Sequence, residues 1–305
     1  MVDVLLLCLT FALGVLLSRV SLCAVAGVQQ LIQTRSYAGL ERLAIAASGA
    51  GLSLLLLAGI APERVSLPTD AAFHFGIIGG GVLLGLGAMI NGGCYLGSVL
   101  YLGTGNLNFL FTLVGIVLGL RGAEAAVPLV IAGTPGLGMA MGHYWLAGLG
   151  AFGVIVAALL GMRRGVGQWL ALAAGLLAGL IYARHPGWSY GSAFATVALG
   201  QSAVMQWRGT LPAITLFAGA IGGAWLAGRF RFQGFTLWRA LRCAVGGLVM
   251  GFGAALVPGG NDTLLLWAIP GLTIYGALAY VLMLGTVALG FLLSRRRGSK
   301  PSLTR

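Results

Sequence analysis

Apolar runs of spanning length recur along the chain at 3–18, 43–60, 72–90, 107–121, 143–162, 168–185, 211–228, 240–257 and 272–293. A transmembrane helix needs about 20 apolar residues. Between these runs lie shorter apolar pieces at 21–34, 95–102, 125–133, 192–206 and 262–270. They are too short to cross and read as half-helices, because irregular backbone at membrane depth is tolerated only inside protein. The pattern predicts an all-α polytopic membrane protein of about nine transmembrane helices plus short re-entrant half-helices.

Composition agrees. Of the 305 residues, 59% are apolar and 8% charged. A soluble domain carries about 25% charged residues, so this chain cannot coat a soluble core. The net charge of +12 would suggest nucleic acid in a soluble protein. Here the arginines cluster between apolar runs, and the positive-inside rule accounts for them without a nucleic-acid partner. The segments 35–42, 162–165, 228–242 and 294–305 should face the cytoplasm, and 61–70 the outside. The N-terminus is then periplasmic and the C-terminus cytoplasmic, with Arg208 a minor exception. The first span lacks a basic flank and a small-residue cleavage site, so it reads as a membrane helix rather than a signal peptide.

A glycine pattern repeats. "GGVLLGLGAMINGGCYLGSVLYLGTG" from Gly80 aligns with "GGLVMGFGAALVPGGNDTLLLWAIPG" from Gly246 at an offset of 166. Gly80, Gly81, Gly85, Gly87, Ala88, Gly93, Leu100 and Gly105 recur as Gly246, Gly247, Gly251, Gly253, Ala254, Gly259, Leu266 and Gly271. With the orientation above, the two copies enter from opposite sides, giving two inverted-topology repeats. The organisation is a first repeat over 1–142, a connecting helix and cytoplasmic loop over 143–167, a second repeat over 168–293, and a basic tail over 294–305. In inverted-repeat transporters, interrupted helices at corresponding positions mark the substrate pathway.

The interruptions carry the candidate chemistry. Asn91, Gly92 and Gly93 break a helix immediately before Cys94. Glycine lets the chain leave the helix, and the half-helix beyond it points free amides and a positive dipole end inward. The second copy reads "PGGND", with Gly259, Gly260 and Asn261 at the break and Asn261 or Asp262 able to cap the short segment after it. "LLSRVSLCAVAG" sets Arg19 four residues before Cys23, and "RHPGWSYGSAFA" offers Ser189, Tyr190 and Ser192 in the corresponding region. Gly81 with Gly85, and Gly247 with Gly251, form small-residue faces for close helix packing. The pathway set is therefore Cys23, Cys94, Asn91, Gly92, Gly93, Gly259, Gly260 and Asn261, with Cys243 and Arg19 as weaker members. Cys8 reads as a small hydrophobe. The cysteines form no CxxC pair and the histidines are scattered, so no metal site, cofactor or catalytic residue is expected. No nucleotide-binding loop is present, which excludes an ATP-driven pump in this chain alone.

"SRVSLC", "GLGAMINGGCYLG" and "GGLVMGFGAALVPGGND" resemble the YeeE/YedE family of thiosulfate transporters. The resemblance covers roughly residues 5–120 and 170–293. It implies inner-membrane uptake of thiosulfate, with cysteine thiols contacting the anion in turn and a cytoplasmic sulfurtransferase as candidate partner. Cys23 matches the cysteine after the first span and Cys94 that of the first glycine-rich motif. The family places a third cysteine where this chain has Gly260. That departure leaves a related sulfur anion open as substrate. It also leaves a second class open: a membrane thiol enzyme or sulfur relay handling persulfide or selenium species.

Overall fold

The computed structural model describes residues 4–71, 73–126, 133–134, 150, 153, 156, 165–198, 200 and 203–296. The first half comprises α1 (Val4–Arg19), α2 (Ala24–Thr34), α3 (Ala38–Ile60), α4 (Phe75–Asn91), α5 (Tyr95–Gly103) and α6 (Asn108–Ala126). The second comprises α7 (Val166–Arg184), α8 (Tyr190–Ala198), α9 (Ala203–Leu226), α10 (Leu237–Leu256), α11 (Asn261–Thr263) and α12 (Ile274–Arg296). α11 runs directly into a π-helical turn, Leu264–Ala268. Two-residue strands β1 (Asp70–Ala71) and β2 (Gly133–Thr134) pair antiparallel.

Among the described residues, 8 helical segments are long and apolar enough to cross a membrane. The protein is an all-α polytopic membrane protein. The expected span at 143–162 lies outside the described residues, apart from three isolated positions. The short apolar pieces at 21–34, 95–102 and 262–270 fold as α2, α5 and the α11–π segment. The piece at 192–206 is divided between α8 and the start of α9. The piece at 125–133 is described only at its two ends.

The order of long and short helices in α1–α6 recurs in α7–α12. The main packed pairs join one half to the other: α1 with α9, α3 with α7, α4 with α10 and α12, and α6 with α10. Glycine makes these approaches possible. A Cβ on Gly81 would meet the Ala279 carbonyl of α12 at 2.8 Å, and one on Gly85 the Met283 carbonyl at 2.8 Å. Gly247 and Gly251 of α10 sit against the carbonyls of Thr112 and Ile116 on α6. Backbones in such proximity gain dispersion contacts that lipid cannot supply. Large apolar side chains such as Phe75, Leu118, Trp238 and Leu289 stay exposed on the outside, where lipid solvates them. The largest fully buried side chains include Tyr95, Tyr182 and Tyr190, which converge where the short helices begin.

Three arginines serve helix C-termini. Arg229 donates to the Ser18 carbonyl at 3.4 Å, Arg295 to that of Ile32 at 2.9 Å, and Arg121 to that of Ala198. Each supplies a cation and a donor to carbonyls that have no partner within their own helix.

Candidate functional site

Two helix breaks face each other across the centre. α4 stops at Asn91, and Gly92 comes next in the left-handed region at φ 80, its N–H donating to the Ala88 and Met89 carbonyls. Asn91 then ties the break together. Its Nδ2 donates to the Gly93 carbonyl at 2.6 Å and to Ser98 Oγ at 3.1 Å, and its Oδ1 accepts from Thr112 Oγ1 at 2.6 Å. The break is thus fixed by side-chain bonds from α4 to both α5 and α6. Gly93 lies under the Tyr101 ring, whose edge a Cβ there would meet at 3.0 Å.

Cys94 occupies the N-cap of α5. Its sulfur accepts the Gly97 N–H at 3.4 Å and the Ala24 N–H of α2 at 3.4 Å. A thiol therefore performs the task usually left to a Ser or Asp oxygen. The same sulfur lies 3.6 Å from Cys23 Sγ, at the N-cap of α2. Both thiols are free and buried. Gly97 makes the pairing possible, because a Cβ there would meet Cys23 Sγ at 2.6 Å.

The second break is built differently. Gly259 stands at φ 138, and Gly260 fills the N-cap of α11 without a side chain. A Cβ on Gly260 would meet Asp262 Oδ1 at 2.5 Å and the Tyr95 ring at 2.8 Å. The space at position 260 is filled by a carboxylate and a phenol. Sequence reasoning offered Asn261 as a cap. Instead its Oδ1 accepts the Tyr95 N–H across 166 residues at 3.0 Å, joining the two breaks directly. The Asn261 side chain also faces the Cys94 sulfur.

The remaining short helix adds Tyr190 and Ser189. The Tyr95 and Tyr190 rings lie 5.7 Å apart, and Ser189 Oγ approaches Ser192 Oγ at 3.1 Å. Tyr182 Oη contacts Thr263 Oγ1 at 3.3 Å and stacks on Trp267. Buried polar atoms are nearly always paired. Here Tyr95 Oη, Tyr190 Oη, Asn261 Nδ2 and Asp262 Oδ1 have no hydrogen-bond partner. Their residues adjoin one another and the thiol pair.

The structure thus brings Cys23, Cys94, Gly260 and Asn261 together, with Asn91, Gly92, Gly93 and Gly259 shaping the two breaks. Cys243 is buried on α10 and approaches the Asn91 carbonyl at 4.0 Å rather than either thiol. Arg19 is exposed at the end of α1, and Cys8 is exposed on its flank. Sequence reasoning missed Tyr95 and Gly97, and it offered Asp262 only as a helix cap. Tyr95 carried one signal, since it sits directly after Cys94 and pairs with Asn261 under the 166-residue offset.

The family model described as sulphur transport matches residues 19–132 and 140–289. The chain belongs to the YeeE/YedE sulfur transport family. No curated protein matches it. Membership makes it a multi-pass membrane transporter of a sulfur compound. For a YeeE/YedE protein, the central cluster has fitting chemistry. Polarizable thiols stand on one side. Amide and hydroxyl groups able to meet oxygen stand on the other.

Proposed function

We propose that this protein takes up thiosulfate, or a closely related small sulfur anion, across the bacterial inner membrane without chemically altering it. The N-terminus is periplasmic and the C-terminus cytoplasmic. The two halves are inverted-topology repeats, and the anion passes between their broken helices. The observation that carries this reading is the buried Cys23–Cys94 pair at 3.6 Å, placed beside four unpartnered polar atoms at the junction of the breaks. Thiosulfate has a soft terminal sulfur and three hard oxygens. The thiols suit the sulfur, while Asn261 Nδ2 and the two phenols can donate to the oxygens. Weak serial contacts of this kind permit exit as well as entry. Arginines at the cytoplasmic face attract the anion, and a sulfurtransferase there would consume it. Inward movement opposes a negative-inside potential by about 2.3 kcal/mol per charge per 100 mV, so a dianion needs a driving gradient.

The same pair favours one second reading. A sulfur relay needs a resolving thiol, which Cys94 lacks in sequence and finds in space as Cys23. In that scheme the Cys94 thiolate attacks the terminal sulfur of thiosulfate, forming a persulfide and releasing sulfite. One experiment separates the readings. Purified protein in proteoliposomes is given thiosulfate labelled separately on its inner and outer sulfur. Uptake of both labels in equal amount is expected. Arrival of the outer sulfur alone would establish the relay, and arrival of neither would refute transport of thiosulfate.

A further inference from the structure

The second break contains a feature that anion binding alone does not explain. Asp262 is buried, 4% exposed, and its Oδ1 has no hydrogen-bond partner. An ion pair between Arg64 and Glu63 lies on an exposed turn. Among the described residues, no Lys, Arg or His nitrogen lies within 4.0 Å of the Asp262 carboxylate. The titratable groups that face it are Tyr95 of α5, Tyr182 of α7 and Tyr190 of α8. All are phenols, and none supplies a positive charge at neutral pH. The π-helical turn after α11 adds only Leu264, Leu265, Leu266, Trp267 and Ala268. The backbone amides of Asp262 and Thr263 also face the carboxylate. The uncharged Gly191 backbone also lies close, since a Cβ there would be 3.8 Å from Asp262 Oδ1 and 3.7 Å from the Ser189 hydroxyl.

A buried charge without a cation is costly and tends to be neutralised. The cost rises when an anion arrives beside it, because two like charges then share one low-dielectric site. The Asp262 carboxylate stands next to Asn261, whose side chain faces the Cys94 sulfur. It therefore stands against the anion's position in the reading above, on which this inference rests. We propose that Asp262 is a proton-binding site on the anion path, so that each anion crosses together with a proton. The proton joins the carboxylate from the outer solution before the anion occupies the site. It leaves to the inner solution after the anion departs, when repulsion no longer opposes ionisation. The neutral carboxyl can donate to an anion oxygen, a role that the carboxylate cannot fill. Carrying a proton removes one negative charge from the moving unit and lets the pH gradient drive entry against the membrane potential.

The test uses purified full-length protein in vesicles holding a pH-sensitive dye. Labelled thiosulfate is added outside, and label uptake and internal acidification are tracked together. Wild type should show both. Asp262→Asn, which keeps the shape but cannot titrate, should lose the acidification, and any label uptake it retains should be independent of external pH. Label uptake without acidification in wild type would overturn the proposal, as would acidification in Asp262→Asn equal to wild type. If wild type takes up no label, the reading of thiosulfate as substrate fails, and an infrared measurement without substrate decides the proton site. A protonated-carboxyl band that grows as the pH is lowered through the mildly acidic range, and that is missing in Asp262→Asn, supports it. A wild-type spectrum without any such pH-dependent band overturns it. Because the infrared arm begins from wild type, misfolding of the variant cannot hide a negative result.

Discussion

Gly97→Ala isolates the thiol contact from the thiols themselves. Both cysteines remain, and alanine is the better helix former by about 1 kcal/mol. The new methyl would sit 2.6 Å from Cys23 Sγ, where ordinary contact begins at 3.4 Å. Cys23 must therefore withdraw by at least 0.8 Å, or turn to another rotamer (3.4 − 2.6 Å). Either response opens the 3.6 Å Cys23–Cys94 contact. Overpacking a tight site costs about 1–3 kcal/mol, partly offset by the helix gain. The net loss, about 0–2 kcal/mol, should leave a folded protein in the membrane. The assay is labelled thiosulfate uptake in proteoliposomes, paired with the rate at which a mild oxidant joins Cys23 to Cys94. Uptake should fall severalfold and the cross-link should form more slowly. Wild-type values for both, at equal incorporation, would refute the claim that the paired thiols form the path.

Cys94→Ala should lose uptake most severely, since it also strips the Gly97 and Ala24 amides of their acceptor at about 1–3 kcal/mol each; Cys23→Ala should lose it substantially and Cys8→Ala not at all, by the same uptake assay at matched expression. Cys94→Ser keeps an acceptor for both amides, so a stable protein with partial uptake is expected, and loss of thermal stability equal to that of Cys94→Ala would contradict the cap. Gly260→Cys should lower uptake rather than improve it, because the new Cβ would press on Asp262 Oδ1 at 2.5 Å and on the Tyr95 ring; growth with thiosulfate as sole sulfur source gives the readout, and faster growth would show that a third thiol fits. Reporter fusions at residues 66 and 300 should report periplasm and cytoplasm respectively, and the same side for both would end the proposed orientation.

The hydrophobic pattern exposed the helix breaks because their signal is local. "NGGC" interrupts an apolar run, and Gly92 at φ 80 adopts a conformation open to few other residues. The 166-residue offset was equally legible; it also sets Tyr95 against Asn261, a pairing that was not drawn from the sequence and that the Tyr95 N–H to Asn261 Oδ1 bond realises. The direction in which each side chain turns could not be read. Asn91 looked like a pathway residue, yet its hydrogen bonds run to Gly93, Ser98 and Thr112 and brace the break. Asp262 looked like a helix cap, and it stands instead beside Tyr95 and Gly260 at the centre. Such assignments depend on packing between halves far apart in sequence, and periodicity carries no information about that.

The absent third cysteine is the clearest case of sequence and structure explaining one another. From sequence, Gly260 is simply a missing thiol. In space it is a position already crowded by other side chains, because Tyr95 leans into it from the first half and Asp262 from the next residue but one. Replacing a thiol with a phenol and a carboxylate makes the second half of the centre harder and, when the carboxyl is ionised, more negative. The first half keeps its two sulfurs. An anion that lies across both must therefore present sulfur to one side and oxygen to the other, and it must tolerate a neighbour whose charge depends on a proton. Thiosulfate meets the first demand in a way that sulfate does not, since sulfate has no soft atom to offer Cys23 and Cys94.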